Sequence, residues 1–457
     1  ISQKHGGKPK FVLLSVGIYI IYSFMRLRKQ ILLCFKAPQS SRSFDKRKII
    51  DLYFIRMKYV IVLGDGMADE YIPSISGTPL EKANIENARK LAKTAKIGLV
   101  KTVPDGFKPA SDVANLAVLG YAPEKYYSGR SPLEALSIGV DMKDTDVAYR
   151  MNLVTLSAEE NFSDKTMVDY SAGEISTAEA AVLVAHIKKH LETDALHFYP
   201  GVSYRHCLII NHGVVDDEVT PPHDITGRKI KDYLPKGVYK DLFLDLYEKS
   251  YALLENHPIN EKRKKEGKNP ANCIWFWGGG VKPALTPFVD KTSLRGAMIS
   301  AVDLLKGIGK GAGMDVIEVN GATGNWDTNF LGKGEAALKA LETNDFCYIH
   351  VEAPDECGHR GEAERKVYSI EMIDKDIIGT IVNGLTAKHE DFALMFLPDH
   401  PTPCSIKTHS RNPVPFLMYS SREKLGENND FNEKTANDTG VFYADAPSLF
   451  NDFIKLK

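Results

Sequence analysis

Tyr59-Val-Ile-Val-Leu63 is an unbroken apolar run followed at once by Gly64-Asp65-Gly66. A strand buried on both faces reads this way, because neither face meets water, and parallel sheets are built from such strands. Comparable runs return at Asp315-Val-Ile-Glu-Val319, Phe346-Cys-Tyr-Ile-His-Val351 and Phe392-Ala-Leu-Met-Phe-Leu397. Between the last two, Val367, Ile370, Ile377, Ile381 and Leu385 recur at helical spacing with charged residues among them. Strand alternating with helix predicts an α/β fold with a doubly wound, mostly parallel sheet.

The middle of the chain breaks that rhythm. Residues 126–289 mix strand-like pieces such as His206-Cys-Leu-Ile-Ile210 with the helix-like Thr177–His186 and the polar stretch 256–267. Because buried-strand patterns lie on both sides, this segment reads as a smaller α+β domain inserted into a discontinuous core of 57–125 and 290–457. The glycines at 307, 309, 311 and 313 follow a helical pattern and read as a helix end plus a turn.

Composition changes this picture at one end. The chain has 457 residues, enough for two or three cored domains, and a net charge of −1 that offers nothing to a nucleic acid. Residues 1–56 carry twelve Lys/Arg against two Asp, or +10, which leaves −11 for the remainder. Their apolar run, Phe11 to Phe24, would make a helix of about 21 Å, short of the ~30 Å hydrocarbon core, and no small-residue cleavage site follows it. The segment reads as a disordered leader or non-native upstream sequence, so no membrane partner is expected. Six scattered cysteines with no CxxC pair suit reduced thiols in a cytoplasmic protein.

The candidate chemistry lies at the strand ends. Asp65, Asp355 and Asp399 each stand at or just past the carboxyl end of an apolar run, where open parallel sheets collect ligands. Three carboxylates brought together there would repel one another without a cation. His359, His400 and His409 follow in the last hundred residues, and carboxylate plus imidazole suits Mn²⁺, with Zn²⁺ or Mg²⁺ as alternatives. A lone Asp at such a place is usually a cap or turn residue; six such groups together are a metal centre. Ser111, in Pro109-Ala-Ser-Asp-Val-Ala-Asn-Leu-Ala-Val-Leu119, stands where a helix begins. It is either the N-cap or a nucleophile whose phosphate would be held by free backbone N–H groups.

Taken together, Val62-Leu-Gly-Asp-Gly-Met67, Ala110-Ser-Asp-Val-Ala-Asn-Leu116, Leu119-Gly-Tyr121, Tyr127-Ser-Gly-Arg130, Asp355-Glu-Cys-Gly-His359 and Asp399-His-Pro-Thr-Pro403 resemble the archaeal-type cofactor-independent phosphoglycerate mutases of the alkaline phosphatase superfamily. The resemblance spans 57–457. It implies two divalent ions and no 2,3-bisphosphoglycerate, one ion on Asp355, His359 and His409, the other on Asp65, Asp399, His400 and the Ser111 oxygen. It further implies a small phosphorylated metabolite as substrate, with Ser111 as the nucleophile and 126–289 as a substrate-binding lid. Arg130, Arg150 with Asn152, Arg205 with His206, His223 with Asp224, and Lys333 are the substrate-site candidates. The Pro-Thr-Pro after His400 and the Val-Glu-Ala-Pro before Asp355 also resemble a bacterial branch proposed to phosphorylate homoserine. A phosphomonoester hydrolase would use the same core.

Overall fold

The computed structural model describes residues 57–456, so the expectations for 1–56 lie outside the described residues. Eight strands form one sheet in the spatial order Asp315–Ile317, Gly296–Ile299, Phe346–Val351, Lys58–Gly64, Phe392–Leu397, Val414–Ser420, Lys96–Val100 and Phe442–Tyr443. The first five run parallel, and Val414–Ser420 is antiparallel to both of its neighbours.

The apolar runs have the expected cause. Along Lys58–Gly64, Val60 and Val62 enter one core while Tyr59, Ile61 and Leu63 enter another on the opposite face. Phe346–Val351 and Phe392–Leu397 divide their side chains between the same two cores. Each strand therefore has no wet face, which is why it shows no polar alternation. The run at 315–319 forms a shorter strand, ending at Ile317 at the sheet's edge. The helical repeat of 367–385 is one continuous rod with a π-helical turn at Ile373–Ile378 between Ala363–Met372 and Gly379–Ala387.

A second sheet, all antiparallel, comprises Met167–Asp169, Val147–Leu156, Arg205–Ile210 and Leu196–Tyr199, with Cys273–Val281 on the other side of Val147–Leu156. Its core is shared with the helices Thr177–Leu191 and Lys240–Leu254.

The glycine series departs from expectation. Gly307 and Gly309 lie inside the helix Asp303–Gly311 rather than beyond its end. A Cβ on Gly307 would run into the carbonyl of Leu133, so the missing side chain lets the helix Arg130–Ser137 lie directly against this one. Gly313, at φ +67°, makes the turn.

Candidate active site and metal centre

Ser111 opens the helix Ser111–Val118, but it is not the cap: Ala110 holds that position in extended geometry, with no side-chain capping bond. The hydroxyl is thereby left for other work, and it lies 3.2 Å from His400 Nε2. Its neighbour Asp112 is fixed by the Tyr127 hydroxyl, which donates to Oδ2 at 2.7 Å.

The three strand-end aspartates converge on the same place. Asp65 and Asp399 are fully buried and Asp355 nearly so. Asp399 Oδ1 accepts from the backbone N–H groups of Gly66 and His400, and its Oδ2 accepts from the Asn115 amide at 2.8 Å. Gly66 sits at φ +60°, and a Cβ there would come within 2.5 Å of Asp355 Oδ1 and Thr402 Oγ1, so the turn after the first strand demands glycine. Burial, with Asp399, Asp355 and Glu352 nearby, pushes the Asp65 carboxyl well above the usual carboxylate range. One of its oxygens, Oδ1, is buried with no hydrogen-bond partner.

The histidines beside Asp355 point to a cation as well. His359 Nδ1 faces the carbonyl of Lys407 at 3.0 Å, and His409 Nδ1 faces that of Pro109 at 3.2 Å. A carbonyl only accepts, so each Nδ1 carries its proton and each Nε2, in the neutral ring, presents a lone pair. Those two Nε2 atoms lie 3.0 Å apart, with Asp355 Oδ2 3.2 Å from the first and Oδ1 3.4 Å from the second. Acceptors facing acceptors at this distance form a ligand set for a cation. Without an ion, protons take that role: hydrogen bonding to Asp355 lifts His359 to about 9. Burial opposes a rise at His409, but the bond to Asp355 outweighs it. Ligand atoms of Asp355, His400 and His409 lie within 4.8 Å of one another, as do those of Asp65, Asp399 and His400. The chemistry of this donor set fits two divalent ions.

Several residues behind the centre carried no sequence signal. His350, fully buried, has Nε2 2.8 Å from Asp65 Oδ2 and Nδ1 3.2 Å from the Ser300 hydroxyl. Burial holds it down at about 3, so it is neutral and donates to Asp65 through Nε2. It forms, with Asp65 and Glu352, a third group of ligand atoms within 4.8 Å. The Thr402 hydroxyl donates to Asp355 Oδ1 at 2.5 Å. Lys366 is buried against Asp69 at 2.7 Å and donates to Thr402 O at 2.8 Å, tying the loop after Asp65 to the loop after Asp399.

The substrate-site candidates divide. Arg130, Arg150 and Arg205 gather around Glu134, whose carboxyl is held below its ordinary range; burial alone would raise it, and the charges of Arg150, Arg130 and Arg205 override that. His206 is buried and pushed down to about 3, accepting from Gly201 N at 3.0 Å. His223 packs its ring on Trp277, 5.2 Å between centroids, and pairs with the exposed Asp224 at 3.6 Å. Asn152 is buried; it donates to Tyr170 O and accepts from Trp277 Nε1 at 3.0 Å. Lys333 is 1% exposed and donates to His350 O at 2.9 Å, so its ammonium supports the backbone behind Asp65 and is closed to solvent. Burial takes it down to about 8.

Residues 92–260 match the family model described as 2,3-bisphosphoglycerate-independent phosphoglycerate mutase. A Methanosarcina barkeri protein of that name is 48% identical over 404 residues, covering 88% of this chain and 100% of its own length. The chain belongs to this family. A Geobacter sulfurreducens relative, named as a probable member, is 47% identical over 392 residues, 85% of this chain and 97% of its own. Among solved structures, a Pyrococcus horikoshii protein superposes with a TM-score of 0.73 at 28% identity, covering 87% of this chain and 97% of its own. The cofactor-independent phosphoglycerate mutase of Thermoplasma acidophilum shares the fold, with a TM-score of 0.61 at 22% identity over 87% of this chain and 99% of its own. Among the described residues of this family member, no helix is long and apolar enough to cross a membrane.

Proposed function

We propose that this protein interconverts 3-phosphoglycerate and 2-phosphoglycerate through a phosphoserine on Ser111. The observation that carries the reading is the Ser111 hydroxyl, free of any capping duty at the first turn of a helix and 3.2 Å from His400 Nε2. Asp355, His359 and His409 would hold one divalent ion, and Asp65, Asp399, His400 and the Ser111 oxygen the other. The carboxylate–imidazole set favours Mn²⁺, with Zn²⁺ or Mg²⁺ as alternatives. When bound, such ions neutralise charge on the transferring phosphoryl group and ease ionisation of the serine hydroxyl.

The chain's own part runs as follows. Ser111 Oγ gives up its proton as it attacks phosphorus, the ester bond to the glycerate oxygen breaks, and that oxygen takes up a proton in exchange. Free N–H groups at the helix start cradle the phosphoryl oxygens. The glycerate turns within the site, its other hydroxyl loses its proton and attacks the phosphoserine, the Oγ–P bond breaks, and Ser111 Oγ regains a proton. Retention of the glycerate requires cationic groups, which Arg130, Arg150 and Arg205 supply from the 126–289 segment, read as a lid. The family names of relatives at 44–48% identity favour phosphoglycerate over homoserine. The five free cysteines among the described residues suit a reducing cytoplasm.

The test is a substrate panel with Mn²⁺: 3-phosphoglycerate, homoserine with phosphoryl donors, and a generic phosphate ester. Conversion to 2-phosphoglycerate, with acid-stable phosphate recovered on Ser111, is expected. Mutase turnover that survives Ser111→Ala removes the nucleophile assignment, and faster homoserine phosphorylation removes the substrate.

A further inference from the structure

Glu134 lies one turn after Arg130 on the helix Arg130–Ser137. Its Oε1 accepts from Arg130 Nε at 2.9 Å, and its Oε2 lies 2.9 Å from Arg150 Nε, an ion pair in which the N–H does not point at the oxygen. Arg150 comes from a different element, the strand Val147–Leu156. One carboxylate thus straddles two guanidiniums, one carried by a helix and the other by a strand.

The other face of Arg150 is equally fixed. It lies opposite Trp277 in the adjacent strand, with the guanidinium 4.2 Å from the ring centroid, and Trp277 is in turn held by Asn152. Arg150 is 7% exposed, a deeply buried cation. Yet among the described residues no hydrogen bond reaches the terminal nitrogens of either Arg130 or Arg150. Arg205 adds a third positive charge felt by Glu134. Three guanidiniums around one carboxylate leave a local charge of +2. Of these donors, only Arg150 Nε is buried without a partner; the terminal nitrogens reach solvent, where an arriving anion would use donors that water otherwise takes.

The Arg130 guanidinium feels the charges of Asp112, the residue next to Ser111, and of Glu352, beside the metal centre. The pocket beside it is lined by Arg130, Glu134, Arg205 and His206.

We propose that Glu134 is a positioning residue: by engaging Arg130 and Arg150 through their Nε atoms, it holds two mutually repelling guanidiniums together with their terminal nitrogens free to take one anionic group of the substrate. The inference rests on the mutase reading and names the device that pre-orders its anion site. A carboxylate is needed because it alone accepts from one arginine while screening the other. Glutamine in its place accepts from one guanidinium and turns an amide N–H₂ towards the second, which drives Arg130 and Arg150 apart.

The experiment separates binding from turnover. 3-Phosphoglycerate is titrated calorimetrically into Mn²⁺-loaded Ser111→Ala protein, with and without Glu134→Gln, and the kinetics of Glu134→Gln and Glu134→Asp are measured with Ser111 intact. The expected result is an affinity loss of at least about tenfold for Glu134→Gln, matched by a rise in KM exceeding any fall in kcat, with Glu134→Asp in between. The rise in KM steepens with added salt, since screening weakens what remains of the anion site. An unchanged affinity in a folded Glu134→Gln protein overturns the inference, as does a loss confined to kcat. Should Glu134→Gln fail to fold, Glu134→Asp with a native melting curve and wild-type affinity overturns it equally. If the Ser111→Ala parent itself does not bind 3-phosphoglycerate, the substrate reading has failed, and this inference with it.

Discussion

The Nε2 atoms of His359 and His409 stand 3.0 Å apart, each with its Nδ1 proton committed to a backbone carbonyl. Two lone pairs at that distance need something positive between them, either protons or an ion. The two options compete, and the competition is measurable.

In the chelated protein the bond to Asp355 raises His359 from 6.5 to about 9. A histidine raised on folding stabilises fully below its unfolded value of about 6.5, and that contribution fades as pH climbs through the folded value. The melting temperature of chelated protein should therefore lose this contribution between about pH 6.5 and pH 9. Manganese binding runs the other way, because the proton must leave first: affinity should weaken by about tenfold per pH unit below 9 for each proton displaced. Calorimetry in buffers of different ionisation enthalpy reads the proton release, and a proton-silent titration at pH 7 contradicts the ligand set.

His350 orients Asp65 from behind, through the 2.8 Å contact to Oδ2. Its replacement by alanine should weaken manganese binding by about 10–100-fold, the usual cost of losing such an outer partner, while the melting curve of chelated protein stays cooperative. A dissociation constant equal to wild type would show that Asp65 needs no such support.

Lys366 and Asp69 form a fully buried ion pair that holds two ligand-bearing loops together. Lys366→Met should cost about 3–5 kcal/mol in urea denaturation, since it strands the Asp69 charge in the interior. Adding Asp69→Asn should recover much of that loss. If the double variant is no better than the single one, the stranded-charge account is wrong.

Gly307 meets the Leu133 carbonyl where a Cβ would overlap it. Gly307→Val should destabilise the fold by about 1–3 kcal/mol or more, as overpacking against rigid backbone does. It should also raise KM, because Arg130 and Glu134 ride on the displaced helix. A variant with lowered melting temperature but unaltered KM would separate packing from substrate capture.

The parts of this protein that could be read in the sequence are those where one local rule suffices. Uniform apolar runs announce strands with no wet face, and an aspartate after such a run announces a ligand-collecting edge. That is why the sequence alone groups Asp65, Asp355 and Asp399. His350 was hidden because its partner, Asp65, lies 285 residues away, a contact made only by strand pairing. Inside the run Phe346–Val351 nothing local distinguishes it from any other core residue. Glu134 did leave a trace, the four-residue spacing from Arg130, but that spacing is also the commonest surface ion pair on any helix. Only Arg150 arriving from another strand gives it a second meaning. For Lys333 the sequence suggests an anion contact near a candidate site, and its burial against His350 O is invisible to local pattern.

The grip of Glu134 crosses a seam. Arg130 and Glu134 belong to a helix pressed against Asp303–Gly311, whereas Arg150 belongs to the antiparallel sheet. Ser131, on the same helix, accepts from Arg150 N and donates to Gly278 O, so backbone and side chain fasten that helix to the sheet at two points, and the spacing of the two guanidiniums is inherited from the join.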